Sequence, residues 1–446
     1  MGPGNEVMRV VVWKTATDAE RSQILRRGIG EIFSPELKVS IGRILDNVRE
    51  HGDEAVCRAL RDFDHINLEP HQLRVSEEEF ERARELISTD VMTAIADMID
   101  HIRRFNEQVM ERKAQDWWFE SDPGLFIGEK ITPIHSAGLF CPSGKASYPS
   151  VLAQIGTPAV VAGVPTKIVI TPPIPGSASG EVDAATLVVA YELGLHDVFR
   201  VNGPAGVAAV AFGTESIPKV VKVVGPGSPA VTCAQIEVQR FGCQTMMLLG
   251  PTESLVIADS TADPVRLAAD LLNEAEHGTD STSVLVTNDR GLVEATQREL
   301  LRQIVLLPDL RREAAAASLG VNGGCILVDS IEEAADVANA FGPEHLQLAT
   351  ADNDSVLHLI HTAGEVLLGQ DTTFSMANFV IGCPASLPTS GFAGSASGIT
   401  AEAFLKRTAV ARADEAAMRR SATSVIALAD HEGFPAHANA MHVRLR

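Results

Sequence analysis

The fold is decided by the stretch from residue 167 to residue 224, where short apolar runs alternate with runs of small, helix-forming residues. The runs are KIVI (167–170), AATLVVAYEL (184–193), VFRV (198–201), AGVAAVAF (205–212) and VVKVV (220–224). Short runs rich in valine and isoleucine have the length and composition of buried strands. Strands that alternate with helices form βαβ units, and the strands of such units are parallel. This stretch therefore predicts a parallel sheet covered by helices.

A second series with the same alternation follows. It consists of SLVIA (254–258), a helix after Asp263-Pro264, VLV (284–286), a helix from about Leu292, and CILV (325–328). Two α/β halves are therefore expected, with a division near Gly250. A ligand-binding cleft between the halves is the usual consequence of this arrangement.

The two ends of the chain differ from this pattern. Residues before about 125 are charged and predicted to be helical, with one helix starting at Ser34-Pro35 and another at the capping box of Ser76 and Glu79. From about Thr400 no strand is evident, so we expect helices that end in a polar tail and pack on the body or on a second subunit.

Composition excludes several classes of partner. The chain has 446 residues, enough for two or three units, and its 58 acidic and 37 basic residues give a net charge of −21. Such a surface does not favour nucleic acid or anionic lipid. No apolar run is long enough to cross a membrane, and the first residues do not have the pattern of a signal peptide. We therefore expect a cytoplasmic enzyme that binds neither nucleic acid nor membrane.

Two segments carry residue types suited to metal binding or proton transfer. Glu274 and His277 lie three apart near the end of the helix that begins after Asp263, a spacing that can hold a metal ion. A solvated glutamate beside a histidine explains the same spacing. Glu344 and His345 follow a helix stopped by Gly342-Pro343, and they are either an acid–base pair on a connecting loop or a pair of surface residues.

Common phosphate-binding motifs are missing, since the sequence contains neither G-x-x-x-x-G-K-[ST] nor G-x-G-x-x-G between a strand and a helix. Glycine-rich loops do follow two candidate strands, at residues 140–145 and after Val224. Their backbone N–H groups are able to face an anion, although such loops are also common as simple turns.

Taken together, these segments resemble the histidinol dehydrogenase family in the same order along nearly the whole chain. The stretches that carry the resemblance are GLFCPSGKASYPS (138–150), AAVAFGTESIPKV (208–220), VGPG (224–227), LLNEAEHG (271–278) and GPEHL (342–346). Five segments in register make the resemblance specific.

The resemblance implies an NAD-dependent, zinc-containing homodimer that oxidises a primary alcohol to a carboxylate through a bound aldehyde, in two hydride transfers. It implies an α/β fold of two incomplete Rossmann-like domains. We assign an N-terminal arm to 1–33, domain 1 to 34–139 and 253–399, and the dinucleotide-side domain 2 to 140–252. A helical tail, 400–446, is expected to be exchanged between subunits. Glu344 would activate the water that attacks the aldehyde, and His345 would remove the alcohol proton.

The resemblance also suggests binding residues, with several departures from the family pattern. The metal ligands would be Glu274, His277, Asn378 and His437, so that a glutamate and an asparagine stand where the family has a glutamine and an aspartate. The set still has one anionic and three neutral ligands, which suits Zn²⁺, with Mn²⁺ as an alternative. The expected substrate-binding residues are Thr252, Glu432 and Ala385, and the expected cofactor-binding residues are Phe140, Ala205 and Ser228.

These departures leave the substrate open. L-histidinol, oxidised to L-histidine, is the first expectation. Pro384-Ala385 replaces an Asn-His pair of the family near the substrate, so a related polar alcohol such as a sulfopropanediol is an alternative. A further alternative is a non-catalytic ligand-binding paralogue, which the changed cofactor-side residues favour.

Overall fold

A computed structural model describes residues 7–25, 34–143, 147–177, 179–246 and 250–446 of the chain. Its α-helices alternate with strands through most of the sequence. The helices are α1 (Asp18–Leu25), α2 (Pro35–Ala59), α3 (Glu77–Leu86), α4 (Thr89–Lys113), α5 (Pro149–Val161), α6 (Ala184–Glu192), α7 (Gly203–Phe212), α8 (Pro229–Val238), α9 (Pro264–Ala275), α10 (Arg290–Ile304), α11 (Asp309–Ala317), α12 (Ile331–Phe341), α13 (Asn353–Leu357), α14 (Phe374–Phe379), α15 (Glu415–His431) and α16 (Pro435–His442).

The strands form three sheets. They are β1 (Val10–Val12), β2 (Trp117–Asp122), β3 (Leu125–Pro133), β4 (Ser136–Phe140), β5 (Thr166–Thr171), β6 (Val198–Arg200), β7 (Lys222–Val224), β8 (Glu253–Ala258), β9 (Thr282–Thr287), β10 (Gly324–Leu327), β11 (His345–Ala349), β12 (Glu365–Leu368) and β13 (Leu405–Ala413). A six-stranded sheet has the order β1-β10-β9-β8-β11-β12, a four-stranded sheet β6-β5-β4-β7, and a three-stranded sheet β13-β3-β2. The first two sheets are parallel throughout, which confirms the predicted α/β class.

Both parallel sheets are buried on their two faces, because alternate residues of a strand point to opposite sides. In β5, Val169 belongs to the core under α5 and α6, whereas Ile168 and Ile170 belong to the core under α2, α7 and α8. In β8, Val256 and Leu255 likewise belong to two different cores, one on each face of the sheet. The continuous apolar runs that the sequence contains are thus explained by helices on both sides.

Helices α2, α3 and α4 pack on the helices that cover the four-stranded sheet. Helix α2 lies against α7 and α8, α3 against α6, and α4 against α5. The predicted domain 1 combined 34–139 with 253–399, whereas these three helices lie beside the four-stranded sheet. Strand β1, from the predicted N-terminal arm, instead joins the six-stranded sheet beside β10. Residues 1–6 and 26–33 of the arm, like part of the loop at 140–145, fall outside the described residues, whereas α1 packs on α12.

The predicted helical end regions contain strands. Strands β2 and β3 follow α4, and β13 pairs antiparallel with β3 over its whole length. The expectation of no strand after Thr400 is therefore wrong. β13 has the sequence LKRTAVARA, in which charged and small residues predominate, and its side chains are mostly exposed, so the apolar pattern of a strand is missing. Helices α15 and α16 follow it as predicted and pack on each other.

The predicted helix caps are confirmed. Ser34 accepts a hydrogen bond from the Leu37 N–H, and Ser76 and Glu79 form the reciprocal capping box. Asp263 accepts from the Val265 N–H at the start of α9. Within the described part of the chain, no helix combines the length and apolar character that a membrane crossing requires.

Candidate active site

A cleft of about 570 Å³ lies between the two parallel sheets. The four-stranded sheet contributes the loops that leave the carboxyl ends of β4 and β7, namely Pro142-Ser143 and 226–228. The six-stranded sheet contributes residues at the amino ends of its strands, including Thr252 before β8 and Glu344-His345 at β11. The predicted cleft between two halves is thus present, and its two walls use opposite edges of their sheets.

Glu344 and His345 are buried at the floor of this cleft. His345 begins β11, and its side chain is 3% exposed, so the pair does not lie on an exposed loop. His345 Nε2 is 3.7 Å from Glu344 Oε1. Glu344 Oε2 accepts a hydrogen bond of 3.0 Å from the Glu253 N–H, which fixes the carboxylate against β8. The alternative of two surface polar residues is excluded by this burial.

Burial and neighbouring charges perturb both groups. Burial raises the pKa of Glu344 well above its usual range, and the His345 ring only partly offsets this effect. Burial alone would lower the pKa of His345, but the carboxylates of Glu344 and Glu365 outweigh it and raise this pKa. A carboxyl group and an imidazole that share protons in a cleft are candidates for acid–base chemistry.

Three of the four predicted metal ligands lie together at the rim. Glu274 is in the last turn of α9, and His277 lies just beyond the helix end, where its Nδ1 is 3.5 Å from Glu274 Oε2. Asn378 Nδ2, from α14, donates a 2.8 Å hydrogen bond to Glu274 Oε1. Glu274 is therefore the centre of this group.

The group fits a divalent metal ion. Glu274 is 1% exposed, yet its Oε2 has no hydrogen-bond partner in the described part of the chain, which is unfavourable for a buried carboxylate oxygen. Asn378 uses its amide nitrogen on Glu274, which leaves its oxygen free to coordinate. Among the described residues no three His, Cys, Asp or Glu side chains are arranged for a metal, so a complete site needs the asparagine and a further ligand.

The two tail residues are elsewhere in this chain. His437 is in α16 and Glu432 lies between α15 and α16; both are exposed and neither lines the cleft. Within the described residues, the contacts of the His437 ring include the Phe434 ring at 5.2 Å. A single chain therefore does not bring these two residues to the other predicted ligands.

On the cofactor side, only one of the three predicted residues borders the cleft. Ser228 lines it as the N-cap of α8, whereas Phe140 and Ala205 are buried in the apolar core around α7. The N-termini of α8 and α5 both open into the cleft, and neither cap residue, Ser228 or Tyr148, forms a side-chain cap hydrogen bond. Free N–H groups at two helix N-termini suit a diphosphate.

In the glycine-rich loop after β7, the backbone lies very close to neighbouring protein atoms at two positions. Gly225 has φ 130°, and a Cβ at this position would overlap the backbone carbonyl of Phe140. A Cβ at Gly227 would overlap the Val231 side chain. The loop therefore requires glycine at both positions, because its backbone packs closely on β4 and on α8.

Thr252 and Ala385 both line the cleft, as predicted for substrate-binding residues. The Ala385 N–H donates a 3.2 Å hydrogen bond to Oε1 of Gln154, which is in α5 and also lines the cleft. The sequence analysis missed Gln154, together with Arg311 and Glu365. Arg311 lines the cleft, and Glu365 contacts His345. Neither residue belongs to a recognisable motif, because helix packing and strand register determine these positions.

Comparisons with known proteins agree with this geometry. The sequence model of the family described as histidinol dehydrogenase matches residues 31–445. A histidinol dehydrogenase homolog of Colwellia psychrerythraea is 39% identical over 90% of this chain and 89% of its own. A histidinol dehydrogenase of Methanosarcina barkeri is 36% identical over 96% of both chains.

A solved structure extends this agreement to the fold. The crystal structure of histidinol dehydrogenase from Elizabethkingia anophelis superposes with a TM-score of 0.92 at 30% identity, covering 99% of this chain and 98% of that one. With the family match and the cleft residues described above, it follows that this chain belongs to the histidinol dehydrogenase family, whose members are oxidoreductases.

Proposed function

We propose that this protein is an NAD- and zinc-dependent dehydrogenase that oxidises a polar primary alcohol to its carboxylate through a bound aldehyde, in two hydride transfers. The observation that carries the proposal is the buried Glu344-His345 pair at the floor of the cleft. The two half-reactions remove different protons, one from the alcohol and one from water, and two adjacent bases can divide this work.

His345 is the base for the alcohol. Its Nδ1 faces Glu365 at 2.5 Å, so Nε2 is the nitrogen left for the substrate proton. The raised pKa of His345 makes it a strong acceptor once neutral. In the chain alone the imidazolium is favoured, and cationic groups bound in the cleft would oppose this preference.

Glu344 is the base for water in the second half-reaction. Its raised pKa makes the buried carboxylate ready to accept a proton near neutral pH. The hydrogen bond from the Glu253 N–H to Oε2 leaves Oε1 to receive that proton. The proton of the attacking water would move to Glu344 while the aldehyde gains a hydroxyl group.

The bound groups would complete the site. NAD, at Ser228 and the two helix N-termini, would accept the hydride in each half-reaction. Zinc or manganese, held by Glu274, His277 and Asn378, would orient the polar groups of the substrate. We also propose a cytoplasmic homodimer in which the partner's tail supplies the residues equivalent to His437 and Glu432, since these lie outside the cleft of their own chain.

Two alcohols are candidates for the substrate, one from the family match and one from a charge in the cleft. L-histidinol is the first candidate from the family match. Arg311 favours a second candidate, an alcohol with an anionic group such as a sulfopropanediol. Its guanidinium lines the cleft, donates to the Glu276 carbonyl at 2.9 Å and has no carboxylate partner among the described residues. A non-catalytic paralogue is less favoured, because a buried acid–base pair has no use in simple binding.

The test is NADH formation by the zinc-loaded protein with histidinol and a panel of short amino, hydroxy and sulfonated alcohols. Glu344→Gln should still oxidise alcohol to aldehyde while acid formation falls by about 10²-fold or more. Equal loss of both half-reactions would contradict the division of roles, and no turnover of any alcohol by the wild type would contradict the dehydrogenase itself.

A further inference from the structure

Glu365 is a carboxylate placed directly behind the His345 ring. It is the first residue of β12, and it pairs in parallel register with His345, the first residue of β11. Its side chain is 7% exposed, and Oε1 lies 2.5 Å from His345 Nδ1. This contact is on the side of the ring opposite to the nitrogen that faces Glu344.

The contact determines which ring nitrogen carries the proton of a neutral His345. A carboxylate accepts hydrogen bonds and does not donate them, so a nitrogen at this distance must be protonated. The proton is then on Nδ1, and the lone pair of Nε2 is available in the cleft. The edge of Phe374 packs on the ring, with centroids 6.0 Å apart and planes at 72°, and this packing limits its rotation.

The burial of Glu365 is unfavourable for the stability of the fold. Its Oε2 is buried without a hydrogen-bond partner in the described part of the chain. Within the same residues, His345 is the only basic side chain that pairs with it. A buried carboxylate with one free oxygen destabilises a fold unless a positive charge appears beside it. Such a charge appears on His345 each time the ring takes a proton.

We propose that Glu365 is a positioning residue for the alcohol half-reaction, holding His345 in the Nδ1–H tautomer and stabilising its imidazolium. The inference rests on the proposed role of His345 as base. The alcohol O–H proton moves to Nε2, the carbon gives its hydride to NAD, and the aldehyde C=O forms. His345 becomes cationic in this step, and Oε1 of Glu365 continues to accept the hydrogen bond from Nδ1–H.

The kinetic test uses the zinc-loaded enzyme with Glu365→Ala and Glu365→Gln. The alanine variant should lose about 10²-fold in kcat for alcohol oxidation, with the KM for alcohol and the zinc content within about twofold of wild type. The glutamine variant keeps an oxygen acceptor for Nδ1–H but lacks the negative charge, so its kcat should lie between those of the alanine variant and the wild type. Oxidation of supplied aldehyde, which uses Glu344, should change by less than about threefold in both variants.

A matched control is Glu237→Gln, which removes another largely buried carboxylate, on α8 and paired with Lys38 and Arg240. It should leave both half-reactions unchanged. Parallel loss of both half-reactions in Glu365→Ala, or a Glu365→Gln variant as active as the wild type in alcohol oxidation, would overturn the proposed role.

A second measurement does not depend on turnover. The ¹⁵N NMR spectrum of protein with ¹⁵N-labelled histidine, with the His345 signals identified by their absence in His345→Gln, reports which nitrogen is protonated. At a pH above the raised pKa of His345, where the ring is neutral, we expect Nδ1 to be protonated in the wild type and to lose this preference in Glu365→Ala. An unprotonated Nδ1 in the wild type would overturn the inference even if the dehydrogenase activity is confirmed, and a protonated one would support it even if the alcohol assignment fails.

Discussion

Replacing Asn378 with aspartate should destabilise the protein more without zinc than with zinc. Asn378 Nδ2 now donates to Glu274 Oε1 over 2.8 Å, and Glu274 is almost fully buried. In Asn378→Asp the donor becomes a second carboxylate beside the first. Two like charges at such a short distance destabilise the metal-free protein.

The size of this effect follows from the geometry. Two unit charges 2.8 Å apart repel by about 6 kcal/mol at an effective dielectric constant of about 20, which is an upper limit. If the side chains move apart to about 5 Å, the repulsion falls to roughly 3 kcal/mol. We therefore expect the metal-free variant to be about 3 kcal/mol less stable than the wild type. When zinc binds, the added carboxylate becomes an anionic ligand, and the affinity should rise by about tenfold or more.

The assay is urea unfolding of chelator-treated and zinc-loaded protein, with zinc affinity measured by calorimetry. Asn339→Asp is the control, because Asn339 also donates its amide, to the Leu359 carbonyl, but does not line the cleft. The control should lose the same free energy of unfolding with and without zinc. If Asn378→Asp behaves like the control, Glu274 and Asn378 do not share a metal ion.

Three other experiments test the cleft, the core and the tail. Gly225→Ala would place a Cβ against a backbone carbonyl and should cost about 2–4 kcal/mol in urea unfolding and weaken NAD binding measured by calorimetry. Glu79→Gln keeps the capping-box acceptor but leaves Arg200, whose side chain is 6% exposed, without its carboxylate; the free energy of unfolding should fall by about 2 kcal/mol. Mixing His437→Ala with Glu344→Gln subunits should restore about a quarter of wild-type acid formation if tails are exchanged in a dimer, because one site of each hybrid then has both residues.

Each of these has a control. Gly163 also has a positive φ, of 76°, but no atoms lie within 4 Å of an added Cβ, so Gly163→Ala should cost only about 1 kcal/mol. Glu81→Gln changes an exposed carboxylate on the same helix as Glu79 and should leave stability unchanged. Mixed subunits that form acid no faster than the two parents would show that His437 does not act on a partner's site.

The sequence predicted those elements whose local signals agree with their final environment. The apolar runs of β5 and β8 and the caps at Ser34, Ser76 and Asp263 are all found. It failed at β13, where both faces are largely exposed and no apolar alternation marks the strand. It did not show on which sheet the helices at 35–113 pack, because an amphipathic helix shows which face is buried but not against which sheet.

For the candidate site the sequence by itself determined which chemical groups are available, and the family resemblance indicated Glu344, His345, Glu274, His277 and Asn378. It also determined the parallel sheets, because their strands must be apolar on both faces. Only the tertiary structure decided the environment of each group. Parallel register sets Glu365 beside His345, twenty positions away, and packing of α14 on α9 sets Asn378 beside Glu274. These contacts depend on strand order and helix docking, which many residues determine together and no local pattern records.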